Sequence, residues 1–157
     1  MDRTLERFRA INWRFADRDP DALGKLQTGI DQAGKERSLI TYSELVRDVE
    51  FNLPNVKRSP FKIDVGNWID FERTVVGDFL GYISLRSYER HGFFASALVV
   101  GKMDGSPGWG FYSLLKDLQL IPRLQSERAL DIWAEHVAKA HTWYAHHPDR
   151  LPSRRNP

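Results

Sequence analysis

Apolar positions recur along most of this chain at intervals of three and four, the spacing of one face of a helix. Leu5, Phe8, Ile11 and Phe15 set the first such stripe among five arginines and predict a helix over residues 2–17. The run DRDPDA ends it, because a residue before proline is pushed out of the helical region. Asp19 or Asp21 can cap the next helix, whose stripe is Leu23, Leu26, Ile30 and Ala33. Its interior glycines, Gly24 and Gly29, weaken it by up to about 1 kcal/mol each and permit close packing. Gly34 is placed to end it. Leu39-Ile40 reads as a very short strand. Thr41 with Glu44 forms a capping box that opens a short helix carrying Tyr42, Leu45, Val46 and Val49. A proline-containing linker over 51–67 follows, read as a solvated loop.

The longest periodic signal comes next. Trp68, Phe71, Val75, Phe79 and Ile83 mark a helix with a core-facing stripe. Gly77 and Gly81, four apart, imply close backbone contact, and Gly92 terminates the segment. Residues 93–100 are almost continuously apolar, the pattern of a buried central strand. The turn GKMDGSPGWG, with its four glycines, suits a wing or hairpin tip. Phe111, Leu114, Leu115 and Leu118 mark a further helix before Pro122. The last helix begins near Ser126 with the stripe Leu130, Trp133, Val137 and Tyr144, and a frayed polar tail is expected after Pro148. The expected class is α+β and mostly helical. It comprises a winged-helix-like core at 37–122, a helical extension at 1–36, and a helix with a flexible tail at 123–157.

Three stretches carry a family resemblance: Ile40-Thr41-Tyr42-Ser43-Glu44-Leu45, Val76-Gly77-Asp78-Phe79-Leu80, and Val99-Val100 with the glycine-rich turn behind it. They resemble the C-terminal winged-helix domain of the alkylguanine-DNA alkyltransferases and alkyltransferase-like proteins. The resemblance covers about half the chain. It implies that the first stretch opens a helix of a helix-turn-helix and that the second belongs to a recognition helix entering the minor groove. The third would follow a Pro-Cys-His-Arg active-site motif. Here that place holds Ala95-Ser96-Ala97-Leu98. A serine without an adjacent base does not replace a thiolate nucleophile, so the family's alkyl transfer is excluded.

Composition narrows the rest. The 157 residues include no cysteine, which removes disulfides, thiol nucleophiles and cysteine-ligated metals. Hydrophobic residues make up 41% of the chain, enough for a real core. No apolar run approaches the roughly 20 residues of a spanning helix, and the start lacks a signal-peptide pattern, so a cytoplasmic protein without membrane contact is expected. The net charge of +2 permits DNA contact without demanding it.

Arg73 on the long helix, Lys57, Arg58 and Lys62 before it, and Lys102 in the glycine-rich turn are the candidate DNA-binding residues. Asp70, Glu72 and Asp78 lie on the same helix, where carboxylates repel phosphate. Trp109, in Pro-Gly-Trp-Gly, is either a core plug beneath the turn or an aromatic anchor for a partner. His136 and His141 are five apart and diverge around a helix, and His146-His147 lies near its end, so no metal site is expected. Glu89 and His91 sit at a helix end, where a histidine simply favours the dipole. No set of side chains fills nucleophile, base and orienter roles together, and no cofactor is implied. The expected function is non-catalytic binding of double-stranded DNA. The rival is a protein-interaction module, with a homodimer through the end helices as one form of it.

Overall fold

The computed structural model describes residues 2–124 and 126–148; the expected frayed tail lies outside them. Helix α1 (Arg3–Ala10) is capped by Asp2, whose carboxylate accepts the Leu5 N–H. It stops seven residues before the predicted end. The reason is Asp78, which draws in the backbone N–H groups of Arg14, Phe15 and Ala16 at 2.9–3.0 Å. Those three bonds hold the chain outside a continued helix. Helix α2 (Pro20–Lys35) begins at Asp19. That buried carboxylate accepts the N–H of Ala22 and also of Asn52, at 2.7 Å, tying the linker to the helix. Gly34 does not end α2. It lies inside the helix because the Tyr144 ring occupies the place of its missing side chain.

Strand β1 (Ile40–Thr41) leads into α3 (Tyr42–Val46), and the capping box is present. Thr41 Oγ1 accepts the Glu44 N–H at 3.2 Å, and the Glu44 carboxylate accepts the Thr41 N–H at 3.3 Å. The linker is pinned rather than loose. Phe51 and Phe61 exchange two backbone hydrogen bonds, and Phe51, Leu53 and Ile63 are buried. Helix α4 (Asp70–His91) runs through the middle of the molecule and ends at Gly92 in the left-handed region, φ 81°. Val75, Phe79 and Ile83 are buried along it, as their spacing predicts.

The predicted strand over 93–100 is mostly absent. Ala95–Leu98 forms a 3-10 turn, and only β2 (Val99–Val100) is extended, paired in parallel with β1. A longer strand would need neighbours for its backbone groups, and here side chains take them first. Phe94 N–H goes to His136 Nδ1, Ala95 N–H to Ser87 Oγ, and Ser96 N–H to Ser84 Oγ, all within 3.0 Å. The loop that follows closes on a bridge between Val100 and Pro107 and on Gly101 N–H donating to the Ser106 carbonyl. Then come α5 (Trp109–Asp117) and α6 (Arg128–His146). Leu130 falls outside the α6 stripe and is half exposed, since Ala129 before it and Ile132 two positions after it take the inward face.

Two hydrophobic cores result. One gathers Leu26, Ile30, Val46, Phe51, Phe79 and Ile83 with Tyr144. The other gathers Phe8, Phe111, Leu115, Leu118 and Ile121 with Ile132. The 3-10 turn stands between them: Ala95 and Leu98 belong to the first core, Phe94 and Ala97 to the second. A burial of about 1.5–3 kcal/mol per large side chain makes this segment, predicted as a strand, the buried wedge joining both cores.

Candidate functional site

A groove of about 860 Å³ lies between α4 and α5. Arg73, Thr74, Gly77 and Gly81 recur at three and four on one face of α4; Gly110, Ser113 and Asp117 do so on α5. Helical spacing therefore turns both sets to the same cleft. The facing residues are small, and the backbones come close: a Cβ built on Gly110 would lie 4.0 Å from Gly77 Cα. Five large aromatic side chains complete the walls: Phe111 within α5, and four others from different places in the chain. Trp13 comes from the segment after α1, Tyr42 from α3, Trp68 from before α4, and Trp109 opens α5.

Each is held differently. Tyr42 Oη accepts the Gly108 N–H at 3.2 Å, and burial pushes its phenol up to about 12. Its ring lies 5.8 Å from that of Trp68. Trp68 in turn carries the Arg73 guanidinium over its face, 5.4 Å from the ring centre. Trp13 packs edge-on to Tyr82 and fills the notch at Gly81, where a Cβ would come within 2.6 Å of its ring. Trp109 has no such seat: it is 69% exposed, which overturns the expectation of a core plug. The close backbone contact expected at Gly77 is made to Gly110, while nothing lies within 4 Å of where a side chain at Gly77 would begin, so an open notch lies beside that contact.

Four charged groups line the groove: Asp70, Asp78 and Asp117 against Arg73. Arg73 pairs with Asp70 at 3.1 Å. Asp78 is occupied by its three backbone N–H groups. It anchors the N-terminal segment instead of confronting a ligand, as the sequence suggested. Glu72 is likewise structural. It accepts the Ile69 N–H at the start of α4 and pairs with Arg58, whose guanidinium also lies over Phe61.

Of the candidate site residues, the structure brings Arg73 and Trp109 to one groove. Arg58, Lys57 and Lys62 lie on the linker and Lys102 on the loop before α5, all exposed and none lining the groove. Sequence reasoning missed Trp13, Trp68 and Asp117 as wall residues. The available signal was the pair Gly77–Gly81, since a glycine inside a helix marks either a tight contact or a gap.

The histidines and serines are mostly committed to structure. His136 is buried with its ring stacked on Phe94, 4.0 Å between centres, and burial brings its pKa down to about 4. It is neutral at physiological pH, with Nδ1 accepting from Phe94. His141 Nε2 meets the Ser38 carbonyl at 2.9 Å. Ser96, which also lines the groove, receives the Ser84 hydroxyl at 2.7 Å. Among the described residues no three His, Cys, Asp or Glu side chains converge as a metal site. No described helix is long and apolar enough to cross a membrane. No family model, characterised protein or solved structure matches the chain.

Proposed function

We propose that this protein is a non-catalytic interaction module whose working surface is the α4–α5 groove, and that its ligand is an apolar segment of a partner protein. The observation that carries this reading is Trp109. An indole 69% exposed beside an aromatic-walled groove and an unfilled glycine notch is an anchor without a partner. The volume lies in the range of about 300–1,000 Å³ typical of ligand sites. Titration with the neutral apolar dye Nile red tests the surface. Trp109→Ala and Gly77→Leu are each expected to weaken dye binding while far-ultraviolet circular dichroism stays unchanged. Equal binding by both variants and the parent protein would move the search to another face.

A second reading keeps double-stranded DNA as the ligand and the winged helix as the architecture. It is supported by the order of α3, α4, β2, loop and α5, and by the exposed Lys57, Lys62 and Lys102. It has less support at the groove, where Arg73 is already paired with Asp70, and on the linker, where Arg58 is paired with Glu72. A random-sequence duplex titrated at two salt concentrations separates the readings. Binding that falls steeply with salt, and that weakens in the Arg73→Ala, Lys102→Ala double variant, favours DNA.

A further inference from the structure

The groove read above as the working surface also has a sign, and the inference drawn here rests on that reading. Three carboxylates and one guanidinium line it, while the whole chain carries +2. Its local charge thus opposes that of the molecule around it. Arg73 offsets Asp70, with which it pairs, and Asp78 is turned to its three backbone N–H groups, so Asp117 is the groove carboxylate left open to an occupant. Asp117 stands at the far end of the α5 face from Trp109, eight residues on, or about 12 Å along the axis. Indole faces attract ammonium and guanidinium groups, as Trp68 already does with Arg73.

We infer that the occupant is a basic amphipathic helix of a partner protein. A long apolar side chain enters the open space in front of Gly77. One lysine or arginine lies over Trp109, and a second, about two turns along, meets Asp117. Two other occupants fit less well. A second copy docking by two-fold symmetry would set one acidic groove against another. Nucleic acid would bring phosphates onto the same carboxylates.

The test is a fluorescence anisotropy titration of the full chain with two labelled helical peptides. One is built from leucine and lysine; the other is identical but with glutamate for lysine. The leucine–lysine peptide is expected to bind at least about tenfold tighter than its acidic counterpart. Asp117→Lys should narrow that preference, and Gly77→Leu or the surface variant Trp109→Ala should each weaken binding. Equal affinity for both peptides, lost in Gly77→Leu, would overturn the charge inference and leave the groove reading intact. Binding of both peptides that ignores Gly77→Leu and Trp109→Ala alike would remove the groove reading as well. Failure of the leucine–lysine peptide to bind overturns the inference. So does self-association in sedimentation that Gly77→Leu abolishes, or groove-dependent binding of a single-stranded oligonucleotide.

Discussion

Two helix contacts in this protein are built on glycine, and they end differently. Where α2 meets α6, Gly34 is covered by the ring of Tyr144, whose hydroxyl donates to the buried Asp31. Where α4 meets α5, the backbones close to contact at Gly77 and Gly110, but the place of a side chain on Gly77 is left empty, and Trp109 stands in solvent nearby. The same local sequence device thus makes a closed joint in one place and an open cleft in the other. The difference is the supply of a large side chain from a third position. α6 delivers Tyr144 to Gly34, and the segment after α1 delivers Trp13 to Gly81, but no residue reaches Gly77.

The largest effect is expected at the closed joint. Gly34→Ala places a methyl group inside the Tyr144 ring, so either α6 shifts or the ring leaves its place against Asp31. Overpacking of this kind costs about 1–3 kcal/mol. A urea denaturation curve should show the midpoint falling with an unchanged slope. A stability equal to that of the parent would mean the joint is loose, and the contrast with α4–α5 would lose its closed member.

Asp31 offers a subtler test of the same joint. It is 4% exposed, and burial raises its pKa despite the hydrogen bonds from Tyr144 and Gln27 and the nearby Arg86. One of its oxygens has no hydrogen-bond partner. The folded state therefore keeps this proton to a higher pH than the unfolded chain does. Stability from this group is fully present below the ordinary value of 3.8 and is lost as pH rises through the folded value. In Asp31→Asn that loss disappears. The stability of the variant relative to the parent should accordingly grow as the medium goes from acid to neutral, read from thermal unfolding at a series of pH values. A difference independent of pH would show that the carboxyl is solvated and the joint open.

How far the sequence reaches follows the same division between local and delivered contacts. The helices of the middle of the chain, the Thr41–Glu44 box and the Gly92 terminus were all legible, because each is decided by residues within a turn or two. The strand over 93–100 was not. Its apolar run is the same whether it pairs in a sheet or wedges between two cores. The deciding partners are Ser84 and Ser87, from the helix just before it, and His136, 42 residues on from Phe94. The end of α1 was misread for a similar reason, since Asp78 acts on it from 62 to 64 residues away. The groove was half legible. Arg73 and Trp109 stood out as residue types, and Gly77 and Gly81 as misfits in a helix. That Trp13 fills one notch and nothing fills the other depends on where a loop runs, which periodicity does not encode.

The smallest expected effect is the most telling about the open contact. Gly77→Ala adds a methyl group where nothing lies within 4 Å. With no clash to offset it, the change should follow helix propensity, a gain of about 0.8–1.0 kcal/mol over glycine. For a chain of this size that raises the melting temperature by about 2–4 °C. Gly81→Ala, one turn further on, should do the opposite, because its methyl group would press on Trp13 at 2.6 Å. Differential scanning calorimetry on the two variants reads both signs in one experiment. If Gly77→Ala is destabilising too, the notch is a closed contact in solution. If it stabilises, the glycine persists at a cost to the folded state, and that cost is explained by what the notch receives.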